Sequence, residues 1–245
     1  MVKLMQCEFL KLKRSNMALI SVCGAMVTPF MMLVAIMKDR LNGRHVFITY
    51  KMIFSQVNMY MLLLFGLVVY TVFAAFLFSR EYSDNTLKTL LTVPVSKTSL
   101  LISKFGVLVV WCTLLSSLSW LFCFFVGLGC GAEELSGNIL VQSLWESVSG
   151  TVLLVFLLTP MIFLSLRTQG IIVPVISSAA IMMLNAALSN EELAALFPWS
   201  ASFLLTMGTL DATGYPAGVA LTIIAATSLG GFLLSLWHFN RVDLV

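Results

Sequence analysis

Charge is what this sequence has least of. Only 10% of its 245 residues are Asp, Glu, Lys or Arg, against about 25% in a soluble domain. The 14 basic and 11 acidic residues gather in short clusters. Between them run six stretches of 20 or more residues with no such charge: Ser15–Met37, Met52–Ser79, Phe105–Ala132, Ser147–Leu166, Thr168–Asn190 and Ala212–Asn240. These runs are too long for alternating β-barrel strands, which need only ~10 residues each and show period 2. Catalytic signatures are missing as well. There is no GxxxxGK[ST] phosphate loop, so the chain is not expected to hydrolyse ATP alone. There is no GxSxG and no HExxH, and His45 and His238 stand far apart. The five cysteines show no CxxC spacing and read as small apolar packers rather than disulfides or metal ligands. No charge lies deep in any run, where proton relays and ion-coupled pumps place one. No catalytic residue and no metal site is therefore expected.

What is present is apolar, at 60% of the chain. A helix needs about 20 apolar residues to cross the ~30 Å hydrocarbon layer, and it satisfies its own backbone hydrogen bonds there. The expected fold is an all-α integral membrane protein, residues 1–245 forming a single transmembrane domain of about six spanning helices. The first run follows Lys11, Lys13 and Arg14 but is too long for a signal-peptide core, so it is expected to stay as a helix. The net charge of +3 reflects sidedness rather than nucleic-acid binding. With the N-terminus in the cytoplasm, the inner side carries 10 Lys/Arg and 4 Asp/Glu, the outer side 4 and 7. This bias predicts both termini inside; Lys38, Arg40, Arg44 and Lys51 run against it.

Three polar regions stand out. Residues 1–14, MVKLMQCEFLKLKR, place Met1, Leu4, Met5, Phe9 and Leu12 at helical spacing, which predicts an interfacial elbow helix. Glu8 falls at the edge of that stripe, either snorkelling, paired with Lys11, or touching a partner. Residues 80–104, REYSDNTLKTLLTVPVSKTSLLISK, predict a short helix from Asn85 to about Thr92, capped by Asp84 and stopped by Pro94. A second start follows at Ser96 or Thr98. A bare connection would need only a few residues; Leu87, Leu90 and Leu91 share one face, which either dips into lipid or, as expected here, docks on protein. The apolar segments 131–146 and 191–215 are expected as outer loops or short re-entrant helices. Their Trp145, Phe197, Trp199 and Phe203 are candidates for a vestibule that receives an amphiphilic ligand. Thr28-Pro29, Thr159-Pro160 and Pro174 predict kinks inside helices.

Two motifs carry a family resemblance. E-x-x-K-x-x-R before the first run is Glu8, Lys11 and Arg14. A Glu after the second run is followed by a G-T position, a Leu pair, P-x-S-[RK] and a Lys: here Glu81, Asn85-Thr86, Leu90-Leu91, Pro94, Ser96-Lys97 and Lys104. Asn85 stands where the family has Gly, and Asn tolerates the same left-handed geometry. Along essentially its whole length the chain resembles the six-helix permease subunits of type-2 ATP-binding-cassette exporters. Its compact size and short first loop look like the bacterial permeases of bacitracin and lantibiotic self-protection.

The resemblance implies a pair of permeases, identical or sister, on two copies of a separate ATPase that binds ATP and Mg. It implies a multi-pass protein of the bacterial cytoplasmic membrane with no cofactor of its own. The elbow helix (1–14) and a coupling segment (80–99) would touch the ATPase through Glu8, Lys11, Arg14, Glu81, Asn85, Thr86, Leu87, Leu90, Leu91, Pro94 and Lys97. The expected function is export that confers resistance to an amphiphilic peptide antibiotic. Export of another hydrophobic cargo (a drug, a lipid or an ion-linked substrate) is the alternative. A membrane enzyme or scaffold without an ATPase is a third reading.

Overall fold

Each of the six uncharged stretches carries a helix. The computed structural model describes residues 2–13, 15–43, 47–83, 96–189 and 191–241. A short helix α1 (Val2–Lys13) precedes α2 (Met17–Leu41). Next come α3 (Tyr50–Tyr60), a π-helical turn (Met61–Phe65) and α4 (Gly66–Ser83), which together form one continuous rod. Then follow α5 (Lys97–Gly129), α6 (Gly137–Leu157), α7 (Thr159–Thr168) and α8 (Ile172–Leu188). The last two are α9 (Pro198–Met207) and α10 (Ala217–Arg241). Among the described residues five units can cross a membrane by length and apolarity: Met17–Leu41, Tyr50–Tyr82, Lys97–Gly129, Gly137–Thr168 and Ala217–Phe239. The sixth, α8, is apolar but has 17 residues, a rise of about 26 Å that falls slightly short of the hydrocarbon layer. The fold is all-α, as expected. The expected coupling helix at 85–92 lies outside the described residues.

One boundary differs from expectation. The apolar segment 131–146 is neither an outer loop throughout nor a separate short helix, because the long helix α6 starts inside it at Gly137. Ser136 caps it, accepting from the Ile139 amide at 3.3 Å. Glu146, which seemed to end a loop, lies within the helix, its Oε1 taking the Gln142 amide at 2.9 Å one turn away. Segment 191–215 folds into α9 flanked by short 3-10 turns, and α9 packs on α6 and α10. At this end of the bundle the chain between α2 and α3 is tied to the chain after α5 by Tyr50 N–Glu133 O (3.2 Å) and Glu133 N–Ile48 O (2.9 Å).

Pro29 and Pro160 are absorbed by the threonines before them, while Pro174 lies in the first turn of α8 (Ile172–Leu188), where no amide is needed. A proline at position i leaves the carbonyl at i−4 without its amide donor. For Pro29 that carbonyl is Ala25, and the Thr28 hydroxyl lies 3.5 Å from it. For Pro160 it is Phe156, and the Thr159 hydroxyl reaches it at 3.0 Å. The same Thr159 Oγ1 lies 2.8 Å from the Ser228 carbonyl on α10. The π turn is satisfied similarly: Asn185 Nδ2 on α8 donates to the Leu63 carbonyl at 3.0 Å, and Ser200 Oγ on α9 donates to Asn185 Oδ1 at 3.0 Å. Ser116 and Ser147 pair at 2.7 Å between α5 and α6.

The α7–α10 contact is the tightest of these approaches. A Cβ on Gly231 would sit 2.5 Å from Pro160 N and 2.7 Å from the Thr159 carbonyl carbon, neither of which can rotate away. Neighbouring Gly230 faces open space. Gly231→Ala is expected to destabilise the protein by at least ~1–3 kcal/mol, the range for overpacking. Gly230→Ala should be neutral. Thermal unfolding in detergent tests both, and equal midpoints for the two variants would show that this approach is not a constraint.

Candidate functional site

Four charges from three helices meet where α1 crosses the ends of α4 and α5. Glu8 and Lys11 are three apart on α1 and therefore share a face. Glu81 lies in the last turn of α4, and Lys104 lies about two turns into α5. Lys11 Nζ is 2.6 Å from Glu8 Oε1 and 3.4 Å from Glu81 Oε1. Lys104 Nζ is 2.5 Å from Glu81 Oε2 and 3.4 Å from Glu8 Oε2. It also donates to the Leu77 carbonyl at 2.5 Å, so all three of its protons have acceptors. Arg80 Nη1 donates to the Lys11 carbonyl at 3.2 Å and adds a tie to the backbone of α1. Glu8, Glu81 and Lys104 are 6%, 3% and 2% exposed. Leu12 of α1 is buried beside them, while Met5 and Phe9 pack against the core.

The cluster is neutral, with two carboxylates and two ammonium groups, which is the condition for burying charge at tolerable cost. Burial alone would raise the Glu8 carboxyl, but Lys104 and Lys11 outweigh it and hold it below its ordinary range. Burial alone would lower Lys11, but Glu8 and Glu81 outweigh it and hold it above its ordinary value. Every group here is engaged by another, so the arrangement offers no nucleophile or base. Its chemistry is mechanical: it fixes α1 to the two helix ends that flank residues 84–95.

The expected contact residues thus divide. Glu8, Lys11 and Glu81 come together in one cluster and turn toward each other. Lys97 opens α5, half-buried, at its Ser96 cap, which accepts from the Ser99 amide at 3.2 Å. Arg14, Asn85, Thr86, Leu87, Leu90, Leu91 and Pro94 lie outside the described residues. Sequence reasoning placed Lys104 only at the end of a motif and passed over its partnership with Glu8 and Glu81. A lysine one residue before the Phe105–Ala132 run is the signal that marks it.

The four aromatic candidates at the opposite end do not share a site. Trp145 points away from the bundle on α6, 72% exposed. Trp199 is 8% exposed, its ring 5.4 Å from Phe197. Phe203 lines a cleft, of about 470 Å³, between α3, α6 and α9, with Lys51, Gln142, Glu146 and Met207 among the other walls. Lys51 and Glu146 went unremarked in the sequence as site residues because each stands just before an uncharged run, Met52–Ser79 or Ser147–Leu166, at which a spanning helix was expected to start.

Residues 4–185 match the family model described as ABC-2 family transporter protein. The chain is also similar to the bacitracin transport permease protein BCRB of Bacillus licheniformis, 35% identical over 191 residues, which is 78% of this chain and 91% of that protein.

Lys104→Met should cost about 3–5 kcal/mol, because it leaves two buried carboxylates short of a partner. The double variant Glu81→Gln with Lys104→Met leaves Glu8 and Lys11 as a neutral pair and should recover most of that loss. Thermal unfolding of both in detergent decides it, and an undisturbed single variant would mean that the cluster carries no stability. The pH dependence has a definite sign. Glu8, lowered from 4.5, contributes stability above that value and loses it as pH falls through the lowered one. Lys11, raised from 10.5, contributes below that value and loses it as pH rises through the raised one. Limited proteolysis of α1 should therefore be constant from about pH 5 to about pH 10 and accelerate only below it or above it.

Proposed function

This chain belongs to the ABC-2 family of transporter proteins, and from that premise we propose that it exports an amphiphilic peptide antibiotic of the bacitracin type, driven by a separate ATPase. The observation that carries the cargo is the 35% identity to a bacitracin transport permease across 78% of the chain. The partner ATPase, in two copies, binds ATP and Mg, and a second permease, identical or sister, completes the pore. The cluster end faces the cytoplasm, with both termini inside, in keeping with the distribution of Lys and Arg.

In this reading residues 84–95 take the stroke. Leu87, Leu90 and Leu91 dock on the ATPase with Asn85, Thr86, Pro94 and Lys97 around them. The segment is continuous with α4 and α5, whose Glu81 and Lys104 grip α1 through Glu8 and Lys11. A push on the segment therefore reaches the elbow helix and two spanning helices together. Glu8 and Glu81 contribute by holding α1 in place, since their carboxylates are already engaged by lysines. Arg14, at the end of the elbow, is the remaining charge of its motif that would meet the ATPase.

Leu90→Asp and Leu91→Asp are expected to abolish co-purification of the ATPase, because each sets an unpaired carboxylate in an apolar contact at several kcal/mol. Full assembly in both variants would remove the docking face. Cells expressing the chain with its ATPase should survive at least several-fold more bacitracin than cells carrying an ATPase unable to hydrolyse ATP. Protection against small hydrophobic drugs without protection against bacitracin would move the cargo to the alternative class. For topology, single cysteines at Asn42 and Glu192 should react with an impermeant thiol reagent in whole cells, and one at Ser83 should not; the reverse pattern inverts the orientation.

A further inference from the structure

The cleft at the end of the bundle opposite the ion cluster is built from three separate elements. Lys51 and Phe54 come from α3, Gln142 and Glu146 from α6, and Phe203 and Met207 from α9. Its volume of about 470 Å³ falls within the ~300–1,000 Å³ of ligand sites. Its floor is closed: Phe54 is buried and stacked on Trp120 at 5.5 Å, and the Trp120 indole donates to Ser143 Oγ at 2.9 Å. A closed floor takes a compact group such as an amino-acid side chain, whereas an acyl chain would have to run on into the bilayer.

The charges of the cleft are the decisive observation. Lys51 and Glu146 line the same space, yet no ion pair joins them among the described residues. Glu8, Glu81 and Lys104 are buried and pair tightly, whereas Lys51 is exposed at the rim of the cleft and Glu146 is half-buried. Here an ammonium and a carboxylate are left on separate walls above an apolar floor. Glu146 spends one oxygen on Gln142 and keeps the other available. A ligand with a cationic and an anionic group could meet both with charge-assisted bonds. Its apolar part would pack on Phe54, Phe203 and the adaptable Met207 thioether.

We infer that this cleft is the entry site at which the transporter binds its peptide, reading one cationic and one anionic group of an amphiphilic peptide with Glu146 and Lys51 and one apolar side chain with Phe203. The inference rests on the peptide-export reading and goes beyond it by naming the residues that discriminate cargo. It moves the vestibule away from Trp145, which faces outward, and from Trp199, which is packed inside.

The test uses the full chain with its partner ATPase in nanodiscs and bacitracin as the probe. Lys51→Gln, Glu146→Gln and Phe203→Ala should each weaken bacitracin binding at least tenfold, about 1.4 kcal/mol. Lys51→Gln and Glu146→Gln should keep the wild-type melting temperature, Phe203→Ala should lower it by a few degrees, and all three should keep ATPase co-purification. The exchange of charges, Lys51→Glu with Glu146→Lys, should bind better than either single charge removal, because a peptide carrying both signs can be read in the opposite order. Trp145→Ala should bind as wild type. Unchanged binding in the double variant Lys51→Gln with Glu146→Gln, while wild type binds and protects cells, overturns the cleft and leaves peptide export standing. A wild type that neither binds bacitracin nor protects cells overturns the export reading and the cleft with it. Loss of binding in the variants only when the nanodiscs contain zwitterionic phosphatidylethanolamine, and not in phosphatidylglycerol alone, means that a lipid headgroup is the occupant and likewise overturns the peptide assignment.

Discussion

The structure hangs on a buried, neutral set of four charges. Glu8, Lys11, Glu81 and Lys104 could not be buried singly, since an isolated ion in an apolar surround costs many kcal/mol. Together they compensate, and Lys104 donates to the Leu77 carbonyl as well as to both carboxylates. Removing any member strands another, so the set behaves as one unit. That unit decides where the elbow helix lies. Without it α1 would be held by Leu12 and the partly buried Met5 and Phe9, too little apolar surface to fix a twelve-residue helix in one register.

The rest of the bundle is held by a different economy, in which hydroxyls and amides satisfy each irregularity of the backbone. Thr28 and Thr159 each supply a donor for the carbonyl that the following proline abandons. Asn185 does the same for the π turn. In hydrocarbon there is no water to do this work, so every break in a helix must carry its own partner. Such breaks are also where a helix can change shape with least loss, because the substitute bond is a side-chain bond that can re-form elsewhere.

Most of the fold was legible in the sequence because its signals are one-dimensional. Uncharged length marks a spanning helix, Thr-Pro marks a break that has its own donor, and Ser96 marks a start. The places where reading fell short depend on the third dimension. Charge spacing could not tell that Glu146 belongs to a helix, because a carboxylate is tolerated where it faces a polar cleft. Aromatic residues near a membrane end read alike in sequence, yet Trp145, Trp199 and Phe203 face outward, inward and into a cleft. Glu8 and Glu81 were recognisable as a motif, but a motif does not say whether a carboxylate points to a partner chain or back into its own. Their partnership with Lys104 required seeing α1 laid across α4 and α5.

One continuous rod joins the two ends of the molecule. Lys51 lies in the first turn of α3 and Glu81 in the last turn of α4, and the only irregularity between them is the π turn Met61–Phe65. A displacement of Glu81 has two ways to go. If the rod moves rigidly, Lys51 moves with it and the cleft changes shape. If the π turn shifts register, the displacement is taken up at Leu63, whose carbonyl is bonded to Asn185 and through it to Ser200 of α9. Since α9 also carries Phe203 and Met207, both routes end at walls of the same cleft. The rod thus links the two ends by continuous structure, directly through Lys51 on α3 or through Asn185 and Ser200 to the helix that carries Phe203.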